Sequence, residues 1–559
     1  MTGRSELTGW VHTGSPWVWL TAGSVSLSLY MVFGLLLLIA VHGMGHFWPG
    51  RIAAIDYRES DGTKTRLYGE IADHEEVPAA RLEENGYRLP DGVVTGERLL
   101  IKTGNRDVYG RDFRWIAAPG IERIDYPPAL LAVEREEWGN AYGYLVEVRE
   151  DGKAITTSNT DEPPLAEVQA RLDRKQALEE QIGHLERDRI GAVNHAMEQL
   201  RLEGRALELG GEPDPRALQA IAEERLALEA EYERLGVELG ALGHEIERDS
   251  LQLRLAGGED LTIPLAKVVR VYRPNEMGIF DKLGHYLTKL TEFATDEPRE
   301  ANTEGGIFPA IFGTVLMVLI MSLVVAPFGI VAAVYLREYA KQGPLTRTIR
   351  IAVNNLAGVP SIVYGVFGLG FFVYFLGGNI DRVFFPEALP APTFGTPGLL
   401  WASLTLAILT VPVVIVATEE GLARIPVAIR EGSLALGATK AETLWRIVLP
   451  MASPALMTGL ILAVARAAGE VAPLMMVGVV KLAPSLAMDG NFPFLHLDRK
   501  IMHLGFHIYD VGFQSPNVEA ARPLVYATAL LLVVIVVVLN LAAIRIRNQL
   551  RERYRASED

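Results

Sequence analysis

The stretch Glu431-Gly-Ser-Leu-Ala-Leu-Gly437-Ala-Thr-Lys-Ala-Glu-Thr-Leu-Trp-Arg-Ile-Val-Leu449-Pro450 decides how the rest of the chain is read. It is a polar, charge-bearing loop held between two long apolar segments. Ala435, Leu436 and Ala438 give one helical turn a small, close-packing surface, and Gly437 lets the backbone turn. Leu444, Ile447 and Val448 then form an apolar stripe at helical spacing, and Pro450 is expected to end that helix as the next apolar run begins. A short helix lying across the mouth of a membrane bundle can push, or be pushed by, a soluble partner.

Outward from this loop, six apolar runs are long enough to cross the hydrocarbon: 18–41, 307–336, 356–376, 399–417, 455–480 and 524–544. The first lacks a small-residue cleavage site in its flank His42-Gly-Met-Gly-His-Phe-Trp48 and reads as an uncleaved signal anchor. His42 and His46 beside Met44 are a conceivable metal pair, and an interfacial anchor with Trp48 is the plainer reading. Basic residues cluster after the second run (Arg337, Lys341, Arg347, Arg350), the fourth (Arg424, Arg430, Lys440, Arg446) and the sixth (Arg545, Arg547, Arg551, Arg553, Arg555). These clusters place the 431–450 loop in the cytoplasm and residues 49–300 on the outer face of the membrane.

The inserted segment has two textures. Residues 49–162 alternate short β-type runs, such as Leu99-Leu-Ile-Lys and Tyr144-Leu-Val-Glu-Val-Arg, with turn signals at Asp61-Gly62, Asn85-Gly86, Asp91-Gly92 and Asp151-Gly152. After Pro163-Pro164 the composition turns to Ala, Leu, Glu and Arg, a helical hairpin over 163–250 with Asp214 as N-cap and Pro215 at the first helical position. Leu228, Tyr232, Leu235, Leu239, Leu242 and Ile246 form the seam of an antiparallel coiled coil, and the first arm answers with Leu178, Ile182, Leu185, then Val193, Met197, Leu200 after one slip in phase. Residues 251–300 return two strands to the β module and end in an interfacial helix with Phe280, Leu283, Tyr286, Leu287 and Leu290. The expected architecture is mainly α: a polytopic helical membrane domain over 301–546 and a cytoplasmic tail at 547–559. A soluble module of short β-strands plus the hairpin follows the first span, which lies within residues 1–48.

Within the fifth apolar run, Arg466 and Glu470 stand four residues apart. A charge at mid-bilayer costs about 2.5–3.5 kcal/mol, so both are expected to face a cavity or a partner and to pair across one helical turn. A guanidinium fork is suited to a phosphate, and a neighbouring carboxylate keeps the anion from binding too tightly to leave. Mutual neutralisation alone is the plainer reading of the pair. Gly358, Gly365, Gly368 and Gly370 read as points of close helix approach, and Pro327 as a kink in the second span.

The quoted loop resembles the EAA coupling loop of ABC-importer permeases, with Gly432 where that pattern has alanine. Together with Thr418-Glu-Glu420, four further strings resemble the A-type permease subunit of Pst-type phosphate importers, the third and fourth together narrowing the resemblance to phosphate-type subunits. They are Gly305-Gly-Ile-Phe-Pro-Ala-Ile-Phe-Gly-Thr314, Pro327-Phe-Gly-Ile-Val-Ala-Ala-Val-Tyr-Leu-Arg-Glu-Tyr-Ala340, Asn354-Asn-Leu-Ala-Gly-Val-Pro-Ser-Ile-Val-Tyr-Gly365 and Ala465-Arg-Ala-Ala-Gly-Glu-Val-Ala-Pro473. The match covers under half the chain; short family members lack 49–300. It implies ATPase docking by Glu431, Ala435, Gly437, Ala438, Leu449 and Pro450, and translocation by Arg466 and Glu470. Asn354, Asn355, Ser361 and Glu419 are weaker translocation candidates, since the asparagines can equally cap the third span. The implied partners are a second related permease subunit, two copies of an ATP-binding subunit, a soluble phosphate-binding protein and membrane lipid. ATP is then held by the partner, and this chain carries no cofactor or metal of its own.

Composition narrows the field further. A net charge of −15 opposes nucleic-acid binding, and the absence of cysteine excludes disulfides and thiol chemistry. No G-x-x-x-x-G-K-[ST] string is present, so the chain reads as a transport subunit rather than an enzyme. Two alternatives remain: a permease for molybdate, sulfate or phosphonate, and a membrane-anchored sensor signalling through its coiled coil.

Overall fold

The computed structural model describes residues 15–87, 90, 92–155, 165–211, 214–515 and 518–555. Asp91, Pro163 and Pro164, singled out above as turn and boundary residues, lie outside the described residues. Among the described residues, six helices are long and apolar enough to cross a membrane: Trp17–Gly45, Phe308–Tyr339, Ser361–Phe384, Leu399–Ala423, Lys440–Gly469 and Ala521–Gln549.

The fourth span is the hub. Two thirds (67%) of its most apolar window is buried, against none of the first span's and 11% of the sixth's. Its Leu399, Ala402, Leu406 and Val414 pack with Met317, Met321 and Val325 of the second span and Ala463, Val464 and Ala467 of the fifth. Small residues set the spacing: a Cβ on Gly459 would lie 2.6 Å from Ala417 Cβ, and one on Gly421 2.5 Å from Ala455 Cβ. The first span lies against the sixth, where Gly43 abuts the Tyr526 backbone and the His42 ring stands 5.1 Å from that of Tyr526. His42 Nδ1 is 2.9 Å from Leu38 O, so this histidine is engaged within its own helix. The second span's helix continues past Pro327 to Val334.

Two boundaries differ from the sequence reading. Pro450 does not end a helix: the helix that starts at Lys440 runs on to Gly469, with a widened π turn over Leu444–Val448. That turn loosens the hydrogen-bond ladder just before Pro450, where the ring would otherwise collide with the preceding carbonyl. At the other end the apolar string through Val480 is not all membrane helix. The helix stops at Gly469, Glu470 is extended (ψ 132°), and Leu474–Val477 forms a short separate turn capping the bundle. The third span likewise begins at Ser361, after the amphipathic helix Pro344–Leu356.

The insert is built on two antiparallel sheets. β1 (Ile52–Arg58), β2 (Lys64–Pro78), β3 (Thr95–Lys102), β4 (Phe113–Ala117) and β5 (Ile121–Asp125) lie in the order β4-β3-β2-β1-β5. β1 is buried on both faces, which accounts for its unbroken apolar start Ile52-Ala-Ala-Ile: Ile52 and Ala54 meet the second sheet while Ala53 and Ile55 face Ile101 and Ile116. The second sheet contains β6 (Leu131–Arg135), β7 (Ala141–Glu150), β8 (Lys153–Ala154), β9 (Asp249–Arg254), β10 (Asp260–Pro264) and β11 (Val268–Tyr272). Its order is β10-β9-β7-β6-β11, with β8 paired to β7. The return strands therefore rejoin the module, as their alternation predicts.

A helical hairpin rises between β8 and β9. Its first arm comprises Leu165–His184, a π turn at Leu185–Ile190 and Gly191–Leu209; its second is Pro215–Ile246. Asp214 Oδ1 accepts the Arg216 N–H at 3.0 Å, the expected cap. The π turn is the structural form of the phase slip in the first arm: its extra residue keeps both Leu185 and Val193 against Leu235. Tyr232, assigned to the seam by spacing, is instead 44% exposed. Val168 and Leu172 at the hairpin's base lie over the second sheet. The helix Ile279–Thr295 follows, with Phe280, Leu283, Leu287 and Leu290 exposed and Phe293 buried.

Candidate functional site

The 431–450 segment is a helical corner. The helix Val427–Ala435 ends in paired reverse hydrogen bonds, Gly437 N–H to Leu434 O at 3.0 Å and Ala438 N–H to Ser433 O at 3.3 Å. That arrangement requires the left-handed φ of +92° at Gly437. The next helix is capped reciprocally: Thr439 Oγ1 accepts the Glu442 N–H at 3.2 Å, and Glu442 Oε2 accepts the Thr439 N–H at 2.9 Å. Thr439 Oγ1 also donates to Glu442 Oε2 at 2.8 Å, so the carboxylate takes both the backbone and the side-chain donor of the cap residue. Ser433 and Thr443 join the two helices through a 2.8 Å hydroxyl contact.

One face of the corner is anchored. Leu444 and Val448 pack into Leu422, Ile425 and Ala452, with Leu449 partly buried beside them and Pro450 and Ile447 half-buried. Arg430 is tied to the Leu422 and Ile425 carbonyls at 2.7 and 2.9 Å and pairs with Glu338 at 3.1 Å. Lys440 reaches the Glu338 carbonyl and sits 4.7 Å from the centre of the Tyr339 ring. The other face is open: Glu431, Ala435 and Gly437 are exposed, Ala438 half-buried, and Leu436 and Trp445 project at 91% and 71% exposure. Sequence reasoning missed Trp445 and the Arg430–Glu338 clamp. An indole in a charged loop was the legible signal for the first; nothing local signals the second.

Arg466 and Glu470 come together as their spacing predicts, with Arg466 Nε 3.5 Å from Glu470 Oε1. The contact is loose, since Arg466 Nε has no hydrogen-bond partner among the described residues. Their setting differs from the expected mid-span position. Arg466 occupies the last turn of its helix, where a cation meets the negative end of the helix dipole, and Glu470 lies just beyond that end. Their side chains are 35% and 20% exposed, so the pair opens onto the surface of this subunit.

The third span closes on this point. A Cβ on Gly365 would lie 2.7 Å from Pro473 Cα, and one on Gly368 2.3 Å from Thr405 Oγ1, whereas nothing lies within 4 Å of Gly370. Gly365 and Gly368 thus serve close approach, and Gly370 does not. The Tyr364 hydroxyl donates to Leu356 O at 2.6 Å. Ser361 is half-buried at the start of this span. Asn354 and Asn355 are exposed in the last turn of the preceding amphipathic helix. Glu419 is engaged elsewhere, paired with Arg350 at 3.2 Å, which ties the fourth span to that helix.

Six apolar spans with the fourth at their centre, and an anchored but open helical corner, make this a multi-pass membrane transport component. Residues 325–556 match the family described as binding-protein-dependent transport system inner membrane component. The phosphate transport system permease protein PstA 1 of Mycobacterium tuberculosis (strain CDC 1551 / Oshkosh) is 35% identical over 247 residues, 44% of this chain and 71% of that protein. A probable phosphate transport system permease protein PstA of Methanocaldococcus jannaschii is 29% identical over 237 residues, 42% of this chain and 73% of that one. Among solved structures, an inward-facing MetNI methionine ABC transporter chain aligns at 21% identity and a TM-score of 0.32, over 43% of this chain and 94% of its own. The chain belongs to this inner membrane component family as a PstA-like ABC-importer permease.

Proposed function

We propose that the chain is the permease subunit of an ATP-driven phosphate importer in a bacterial inner membrane, with residues 49–300 on the outer face. It forms the translocation path with a second related permease subunit. Two ATP-binding subunits drive it through the open face of the 431–450 corner, and a soluble phosphate-binding protein delivers the anion from outside. The chain itself binds no nucleotide. The observation that carries this reading is the Arg466–Glu470 pair, a guanidinium with an unsatisfied Nε beside a carboxylate, opening onto a surface another subunit can cover. An anion in transit bonds the exposed part of the guanidinium fork, and Glu470 lowers the affinity enough for release. The PstA relatives and the basic loops support the choice of phosphate and the orientation.

The test is uptake by the complex in proteoliposomes, with labelled phosphate, sulfate and molybdate in parallel. Arg466→Gln removes a charged hydrogen-bonding partner, an effect of about 1.5–3 kcal/mol, so phosphate uptake is expected to fall at least about tenfold in an assembled complex. Normal uptake by that variant refutes the path, preferred uptake of another oxyanion refutes phosphate, and failure to recover any ATPase with the chain refutes the transport reading.

A further inference from the structure

A cavity of about 310 Å³ lies where the insert meets the membrane domain, a volume at the lower end of small-molecule sites. The turn just after the first span supplies His46 and Phe47, the sheets Glu70 and Lys102, and the segment before the second span Glu304. Leu524 of the sixth span and Phe293 of the interfacial helix complete an apolar side, where the Phe47 and Phe293 rings stand 5.0 Å apart.

Most charges around it are already matched. Glu134 takes Lys289 and, at 2.9 Å, Arg299; Arg106 is shared by Glu300 and, at 3.3 Å, Asp112. Three are not. Lys102 and the Glu304 side chain have no ion pair or hydrogen bond among the described residues, and Glu70 has only the Tyr142 hydroxyl at 2.8 Å. The six carboxylates of the lining outnumber its four Lys and Arg side chains. His46 does not redress this, because burial, with Lys102 and Lys289 nearby, pulls it down to about 4.

This distribution discriminates among ligands. The carboxylate excess repels a free anion, and the unpaired Lys102 ammonium repels a bare cation. A ligand carrying an ammonium and an anionic group a few atoms apart satisfies both ends. Burial holds the Glu304 carboxyl above its ordinary range even with Lys102 nearby, so an added ammonium relieves an existing cost. The cavity adjoins the ends of the first, second and sixth spans at the level of the Trp48 ring, the depth at which membrane headgroups lie. We propose that it seats the zwitterionic headgroup of an ethanolamine phospholipid. The ammonium lies between Glu70 and Glu304, the phosphate on Lys102, and the glycerol end against Phe47, Phe293 and Leu524.

The experiment is native mass spectrometry of the full-length chain released from mild detergent. It is titrated in separate arms with phosphatidylethanolamine, phosphatidylglycerol and free O-phosphoethanolamine. Phosphatidylethanolamine is expected to remain bound to the unaltered chain. Its retention is expected to fall on the order of tenfold in both Lys102→Met and Glu304→Gln, each losing one charged partner. Glu229→Gln, on the hairpin away from the cavity, serves as a control that keeps binding. Size-exclusion profiles and melting temperatures confirm that each variant is folded, and the near-isosteric Glu304→Gln preserves the cavity's shape. Equal retention by the unaltered chain and both variants overturns the proposal, as does phosphatidylglycerol binding as well as phosphatidylethanolamine. Free O-phosphoethanolamine binding as tightly as the lipid overturns the membrane source of the ligand.

Discussion

Substitution at Gly437 separates two roles that coincide in the 431–450 corner. The residue sits at φ +92°, and no heavy atom lies within 4 Å of the position a Cβ would take. Gly437→Ala therefore brings no collision, only the cost of a left-handed backbone, about 1–2 kcal/mol. Asparagine tolerates that conformation better, so Gly437→Asn costs less than alanine does. The strain has little room to relax, because Ser433–Thr443 and the Thr439–Glu442 cap hold both sides of the turn. Gly437→Asp has nearly the shape of asparagine and adds a charge to the exposed face beside Leu436 and Trp445. Comparing Asp with Asn thus isolates the surface from the backbone. In proteoliposomes, with uptake and ATP hydrolysis measured on the same preparation, Asn is expected to remain near wild type and Ala to fall between. Asp is expected to lose about tenfold in uptake while hydrolysis persists, the signature of a motor that no longer grips. Equal uptake by the Asp and Asn variants refutes the docking face. Alanine melting no lower than asparagine refutes the backbone argument.

Three further outcomes follow from the geometry. Trp445→Ala removes an indole that is 71% exposed, so it is expected to weaken co-purification of the ATP-binding subunit without shifting the melting temperature; a lowered melting temperature with intact co-purification refutes this. Gly368→Val places atoms 2.3 Å from Thr405 Oγ1 and 2.9 Å from Val477 Cγ1, an overpacking of about 1–3 kcal/mol read as reduced thermal stability, with unchanged melting counting against the close approach. Burial alone would raise the Glu134 carboxyl, but Lys289 and Arg299 outweigh it and hold it at about 2, below its ordinary 4.5. The depressed folded value means this stabilisation is fully present above pH 4.5 and is lost as pH falls toward 2. It amounts to at most about 3 kcal/mol, so Glu134→Gln should destabilise the chain at pH 7 far more than near pH 2. Equal destabilisation at both ends refutes it.

What the residues announced in advance was periodic or local. Alternation in Leu99–Lys102 and Tyr144–Arg149 marked strands, Asp214-Pro215 marked a helix start, and the slip between Leu185 and Val193 proved to be a π turn. Helix ends inside continuous apolar sequence were not legible. Nothing in Ala455–Val480 marks Gly469 as a terminus, because Leu474 and Val477 are as apolar as membrane residues while packing inside a cap. Pro450 misled for the opposite reason: proline is a strong local signal, but the π turn before it accommodates the ring. The pairings Arg350–Glu419 and Arg430–Glu338 join residues far apart in sequence, and no periodicity connects them.

The displaced helix ends change how the two candidate sites relate. With a break at Pro450, the exposed corner and the Arg466–Glu470 pair would belong to separate elements. Instead Lys440–Gly469 is one helix of 30 residues, about 45 Å at the usual rise, with the corner at its start and Arg466 in its final turn. A force on Trp445 therefore reaches the charged pair through a single rod whose hydrogen-bond ladder is loosened at the π turn Leu444–Val448. That rod packs on the fourth span through Gly459 and Gly421, contacts tight enough that any movement of one carries the other. Gly365 and Gly368 in turn bring the third span onto Pro473 and Thr405, so displacement at the corner alters the walls around Arg466 as well as its position. Lengthening the rod's loosened turn by one inserted alanine after Trp445 keeps both sites intact and rotates one against the other by about 100°. Coupled transport is expected to be lost while ATPase co-purification and folding persist. Coupled transport in that variant means the motion reaches Arg466 by another route.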